Sequence, residues 1–212
     1  MTNPTDAIAA AVRPDDALLV IDVQNDFCPG GALAVPGGDE LVAPINELMP
    51  AFNTVVLTQD WHPAGHSSFA SSHAGSEPFA VIDMPYGKQT LWPDHCIIGS
   101  DGAEFHPQLH VDAAQLIIRK GFRAPIDSYS AFFENDHTTA TGLSAYLRER
   151  GVKRVVCVGL ALDFCVRFSA VDARQQGFET VVLEDYCRAI DMAGSLADAQ
   201  GAMTSAGVTA QV

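Results

Sequence analysis

Short apolar runs that stop at a polar residue recur along the chain. "DALLVIDVQ" has the pattern of a buried strand closing at Asp22, and "NTVVLTQDWH" that of a second ending near Asp60. "AQLIIRKG" gives a third ending at Lys120, "VKRVVCVG" a fourth and "FETVVLEDYC" a fifth. All are rich in Val and Ile and short, as strands buried on both faces are. Between them the period changes. "GGDELVAPINELMPAF" sets Leu41, Val42, Ile45, Leu48 and Met49 on one helical face. "TGLSAYLRERG" predicts a helix stopped at Gly151, "DFCVRFSAVDARQQG" a helix after the fourth strand, and "LADAQGAMTSAG" a last helix before a sixth strand, "VTAQV". Strands alternating with helices predict an α/β fold: a doubly wound, mostly parallel sheet of five to six strands with helices on both faces. No repeat or linker divides the chain, so residues 1–212 are expected to form one domain. Residues 61–110 are rich in Gly, Pro, Ser and His and too long for an ordinary connection, so this stretch is expected to serve function.

Composition narrows the partners. At 48% hydrophobic and 18% charged, the 212 residues have the balance of a globular protein. A formal charge of -14 repels phosphate backbones and anionic lipid, which argues against nucleic acid and membrane partners. "MTNPTDAIAAAVRPDD" lacks the basic and apolar regions of a secretory signal. The five cysteines, Cys28, Cys96, Cys157, Cys165 and Cys187, are odd in number and widely spaced, so no disulfide framework is expected and a reducing cytoplasm is the simplest location. The sequence leaves oligomeric state open, a homo-oligomer included.

In open parallel sheets, ligands bind beyond the carboxyl ends of the strands. Four strands deliver Asp22, Asp60, Lys120 and Cys165 to that rim. Cys165 is expected in the first turn of a helix capped by Asp163, where the helix dipole and a nearby Lys120 would lower its pKa. Most free cysteines are packing material; that reading is kept for Cys157, and for Cys28, Cys96 and Cys187, although Cys28 and Cys96 fall in loops that can line a pocket. Asp22 alone fits a structural acid, and Lys120 alone fits a surface charge or a simple ion pair. Together with Cys165 they form a nucleophile, a proton carrier and a cation. Asp60 and His62 can face one side of an extended segment, with His66 on the next turn and His95 returning from the long loop. One carboxylate and two or three imidazoles suit zinc or iron(II), with manganese also allowed. Phe27, Trp61 and Trp92 neighbour these groups as candidates for the walls of a flat pocket.

"VIDVQNDFCPGGALAVPGG", "TQDWHPAGHSSFAS", "LWPDHCIIGSDGAEFHP", "IRKG", "DSYSAFF" and "GLALDFCVRFSAVDA" occur in this order. From about residue 17 to 191 the chain thereby resembles the nicotinamidases of the isochorismatase-like cysteine hydrolase family. The resemblance implies a catalytic triad of Asp22, Lys120 and Cys165. It implies one divalent metal held by Asp60, His62 and His95, with His66 a ligand in some members and a supporting group in others. It implies Phe27 and Trp92 on either side of the substrate ring, with Tyr129, Leu160 and Ala161 around the same pocket. It also implies a cis Leu160–Ala161 peptide and an oxyanion hole from the Ala161 and Cys165 amides. Nicotinamide is then the expected substrate, nicotinate and ammonia the products in NAD salvage, and pyrazinamide an analogue. The family often has Thr where this chain has Leu162.

Three alternatives remain at this stage. A related cysteine amidohydrolase would act on another small amide or carbamoyl compound without needing the metal residues. A non-catalytic binding module on the same fold would not need Asp22, Lys120 and Cys165 together. A dinucleotide-binding oxidoreductase is disfavoured because no G-x-G-x-x-G turn follows the first strand.

Overall fold

The computed structural model describes residues 4–211. A helix α1 (Pro4–Ala10) precedes strand β1 (Asp16–Ile21) and helix α2 (Val42–Leu48). Strand β2 (Thr54–Asp60) follows, then a small hairpin of β3 (Val81–Met84) and β4 (Gly87–Thr90). The chain continues through β5 (Leu116–Lys120), α3 (Leu143–Glu149), β6 (Arg154–Leu160), α4 (Arg167–Gln175), β7 (Glu179–Arg188), α5 (Ser195–Ala206) and β8 (Thr209–Gln211).

The main sheet has six strands in the order β5-β2-β1-β6-β7-β8, and every pairing in it is parallel. The predicted sixth strand is therefore real in Thr209–Gln211, while Val212 of "VTAQV" lies outside the described residues. Helix α1 has no counterpart among the predicted elements. Nor is the stretch 61–110 loop throughout, since the antiparallel β3–β4 pair forms a separate two-stranded sheet there.

Alternation along β1 divides the core. Leu18 and Val20 face one layer with Val42, Ile45 and Leu48 of α2. Ala17, Leu19 and Ile21 face the other with Leu143 and Leu147 of α3, Ala170 and Ala173 of α4 and Met203 of α5. Both faces of the central strands are thus covered, which explains their unbroken apolar sequences. The order of the sheet reverses at β1, which is flanked by β2 and β6. A crevice opens at such a reversal beyond the carboxyl ends of the strands, and it is there that this fold class binds ligands. Among the described residues, no helix is long and apolar enough to cross a membrane.

Candidate active site

β1 ends one residue before Asp22, whose φ of +50° turns the chain off the sheet. Aspartate tolerates this left-handed region better than most residues. Beside it, β6 approaches so closely that a Cβ on Gly159 would lie 2.2 Å from the Ile21 carbonyl oxygen. The Asp22 carboxylate is wholly buried. Thr58 Oγ1 donates to its Oδ1 at 2.6 Å, and Lys120 Nζ pairs with its Oδ2 at 2.8 Å.

Lys120, at the end of β5, is not at a solvated rim but almost fully buried. Its ammonium reaches Asp22, Asp60 Oδ1 at 2.9 Å, the Ser128 carbonyl at 3.1 Å and Cys165 Sγ at 3.4 Å. Burial alone would favour the neutral amine, but Asp22 and Asp60 outweigh it and hold the Lys120 pKa well above its usual value. Arg119 points to the opposite face, as alternation requires, and stacks over Trp61 at 4.0 Å. Trp61 is therefore committed to that contact and is not a wall of the pocket.

Cys165 lies in a wide turn, Leu162–Val166, that leads into α4. The expected Asp163 cap is not formed. The Asp163 carboxylate instead accepts the Ile190 and Asp191 amides at 3.0 and 2.9 Å and the Ser195 hydroxyl at 2.5 Å. The expected lowering of the Cys165 pKa is also reversed. Burial pushes the thiol well above its ordinary value, Lys120 opposes this, and Asp22 and Asp60 add to the rise. A thiol with a raised pKa needs an acceptor for its proton before the sulfur can attack. Asp22, paired with the same Lys120 ammonium that reaches the sulfur, is the carboxylate at hand to take that proton. Burial also lifts the Asp22 carboxyl above its usual range, against Lys120, which makes it a better proton acceptor than an ordinary carboxylate.

Asp60 is fixed from both sides of its backbone: Gln24 Oε1 accepts its amide at 2.7 Å, and Gln24 Nε2 donates to its carbonyl at 2.9 Å. Its Oδ2 lies 3.1 Å from His62 Nε2 and 3.4 Å from His95 Nε2. The three ligand atoms all lie within 4.8 Å of one another, and all three residues are buried. The imidazoles are tied at their other nitrogens. His62 Nδ1 donates to the Gly121 carbonyl at 2.9 Å, and His95 Nδ1 to the Pro93 carbonyl at 2.8 Å. Carbonyl partners accept only, so each Nδ1 carries a hydrogen, and Nε2 is the nitrogen that each ring turns toward the carboxylate and could offer to a metal. This donor set suits a divalent ion with a preference for nitrogen and oxygen ligands. Without a cation, burial raises the Asp60 carboxyl, but His62 and Lys120 outweigh burial and hold its pKa well below the usual range.

His66 is not in this group. Its Nδ1 meets Ser68 Oγ at 2.7 Å, and its Nε2 meets the Arg123 and Ile126 carbonyls at 3.0 and 3.2 Å. It packs against His62 with ring centroids 4.4 Å apart, and forms a second cluster with His62 and Asp127.

A small cavity joins these parts. Its lining includes Phe27, Trp92, Tyr129, Ala161, Asp60, His95 and Cys165. The Leu160–Ala161 peptide is cis. The Ala161 carbonyl accepts the Phe164 and Val166 amides, both at 3.1 Å, and so faces into the turn. Leu160 itself is fully buried behind the lining, and Leu162 packs in the apolar layer beneath α4. Leu33, Asp127, Phe164 and Ile190 also line the cavity and were not anticipated. Phe164 had a signal, since it adjoins Cys165; Leu33 and Ile190 arrive from distant loops with none.

Residues 16–210 match the family described as "Isochorismatase domain". A nicotinamidase of Acinetobacter baylyi is 55% identical over 192 residues, covering 91% of this chain and 90% of its own. A solved structure described as "Acinetobacter baumanii nicotinamidase pyrazinamidease" superposes with a TM-score of 0.92 at 56% identity, covering 93% of this chain and 96% of that one. A pyrazinamidase of Pyrococcus horikoshii, solved in complex with zinc, gives a TM-score of 0.75 at 37% identity over 93% of this chain and 99% of that one.

Proposed function

The chain belongs to the isochorismatase domain family, and on that premise we propose that it hydrolyses nicotinamide to nicotinate and ammonia through a thioester on Cys165. We assign the catalytic roles to Asp22, Lys120 and Cys165 and treat residues 1–212 as one domain. The observation that carries the reading is the meeting of Cys165 Sγ, the Lys120 ammonium and the Asp22 carboxylate directly behind a cavity that Cys165 lines. Family relatives described as nicotinamidases support the substrate. The same flat cavity suits pyrazinamide.

Asp22 takes the Cys165 proton as the sulfur attacks the amide carbon, and the Lys120 ammonium stabilises the negative charge on sulfur. A carbon–sulfur bond forms while the carbonyl electron pair moves to oxygen. The Ala161 and Cys165 amides are the assigned donors to that oxygen, each worth about 3 kcal/mol. On collapse the carbon–nitrogen bond breaks, and Asp22 returns the proton to the departing nitrogen. Water then adds to the thioester, giving Asp22 a proton that passes to sulfur as nicotinate leaves. Phe27 and Trp92 hold the ring so that attack is unimolecular.

Asp60, His62 and His95 would hold one divalent metal, and we propose zinc or iron(II), with manganese allowed. When bound, the ion orients the pyridine nitrogen and screens the Asp60 charge from the sulfur. His66 is assigned a supporting place behind His62, because its own nitrogens are already occupied.

Ammonia release from nicotinamide and pyrazinamide by the purified protein tests the reading. Cys165→Ala should lower turnover by roughly 10⁴-fold or more while metal content and fold persist. Substantial amidase activity in that variant would dismiss the thioester route, and no ammonia from the unaltered protein would dismiss the substrate.

A further inference from the structure

Among the described residues the β3–β4 hairpin pairs with no other strand, and a lone hairpin is marginally stable in water. Within its two strands, Gln89 is the one buried residue. Its amide is enclosed on every side. The two Nε2 hydrogens are shared among three acceptors: Asp127 Oδ2 and the Thr90 carbonyl, both at 2.7 Å, and the Tyr129 hydroxyl at 3.0 Å. Oε1 accepts from Tyr86 Oη at 3.2 Å and Asn135 Nδ2 at 3.3 Å.

The direction of this amide is set by its neighbours. Asn135 Oδ1 accepts the Tyr129 amide at 3.0 Å, so Asn135 must present its NH₂ to Gln89. That places Oε1 toward Asn135 and leaves Nε2 to face Asp127, a buried carboxylate that can only accept when ionised. Trp92 Nε1, which can only donate, uses the Tyr129 hydroxyl oxygen at 3.1 Å. Gln89 thus ties Asp127 and Tyr129 together, and Tyr129 in turn fixes Trp92. All three of these tied residues line the cavity, whereas no bond joins Gln89 to Cys165, Lys120 or Asp22.

We propose that Gln89 is a positioning residue for substrate: it fastens the hairpin to the pocket and sets the Tyr129–Trp92 wall against which the ring packs. The inference rests on the proposed amidase reading. Gln89→Glu is the sharpest test because it keeps the shape and volume but sets an oxygen against Asp127 Oδ2. The carboxylate cannot donate to Asp127, so the tie is lost while the volume is kept. Gln89→Ala removes the tie altogether. Both variants should raise KM for nicotinamide roughly tenfold, the cost of a charge-assisted hydrogen bond, with kcat within about threefold and metal content unchanged. In a Trp61→Phe background, where Trp92 is the sole tryptophan, each should also shift the emission of Trp92.

An unchanged KM in Gln89→Glu, or a fall in kcat alone, would overturn the proposal. Should either variant fail to fold, Tyr86→Phe removes only one donor to Oε1; it must still raise KM with kcat held, and an unaltered KM there overturns the proposal equally. The wild-type assay separates the two readings. If the wild type releases no ammonia, the substrate is wrong, and the Trp92 emission of the Gln89 variants decides the positioning role by itself.

Discussion

Gly121 follows Lys120 at a φ of +69°, and its lack of a side chain is what lets His62 reach Asp60. A Cβ there would stand 2.4 Å from His62 Cε1 and 2.7 Å from Nδ1, inside any real contact. The same residue's carbonyl receives the Nδ1 proton of His62, so one position both makes room for the ring and fixes its tautomer. Gly121→Ala should therefore displace His62 while leaving the apolar layers untouched, costing about 10–100-fold in metal affinity as other outer partners of ligating histidines do. Metal content after equilibration against a chelator checks this, with far-ultraviolet dichroism as the control for folding; undiminished affinity would mean that the backbone yields instead of the ring. At this scale the sequence was informative about types and poor about environment. Asp60, His62 and His95 were legible because a carboxylate and imidazoles clustered near a strand end, and Lys120 was legible as a terminal strand residue. That Lys120 would be buried between two carboxylates was not. It is their summed charge, set by packing of distant segments, that keeps the ammonium protonated, while burial is the larger cause of the raised Cys165 pKa.

The elements were read from period and composition, and failed where a side chain serves a distant element. Each main-sheet strand was visible as an apolar run, since strands covered on both faces carry little else. The β3–β4 hairpin was not, because its exposed, mixed residues lack the alternation of a half-buried strand. Asp163 shows the second kind of failure. Its place before an apolar helical run suggested a cap, yet three donors from 190–195 claim its carboxylate. The consequence is an element-level link: the turn bearing Cys165 is fastened to the segment between β7 and α5, and Ile190 of that segment lines the cavity. Asp163→Ala leaves two buried-side amides and a hydroxyl without their acceptor, and should cost about 3 kcal/mol of stability. Because the segment carries a cavity wall, KM should rise as well. Asp163→Asn, which keeps one acceptor oxygen, should fall between wild type and alanine in both. Denaturant unfolding together with steady-state kinetics tests the pair of effects, and a stability loss with an unaltered KM would detach Ile190 from the site.

At the scale of the whole molecule the two ends of the sheet carry charge for different purposes. The carboxyl ends gather Asp22, Asp60 and Lys120 around the sulfur. The amino ends gather Arg13, Asp16, Arg154 and Glu179, which clasp β1, β6 and β7 below the core. Arg154 pairs with both oxygens of the buried Asp16 carboxylate, Arg13 Nε meets it at 3.1 Å, and Arg13 Nη2 reaches Glu179 at 2.8 Å. Burial alone would raise the Asp16 pKa, but the hydrogen bonds from Arg154 and Arg13 outweigh it, and the folded value lies below the usual carboxylate range. The sign of the pH effect follows. Between the folded and unfolded pKa values the unfolded chain binds the proton more readily, so stability rises with pH through that window. The clasp's contribution is complete above an unfolded value of about 4 and is lost as pH falls through the lower folded value. A formal charge of -14 works in the opposite direction, since mild acid relieves self-repulsion before Asp16 is protonated. The two effects separate by substitution. Asp16→Asn should lower stability by about 2 kcal/mol at pH 7, and this deficit should shrink as pH drops below about 4, because wild-type Asp16 then loses its charge too. Denaturant unfolding of both proteins across the acid range measures the difference directly. A deficit that stayed constant to the acid limit would make the loss one of packing and not of charge.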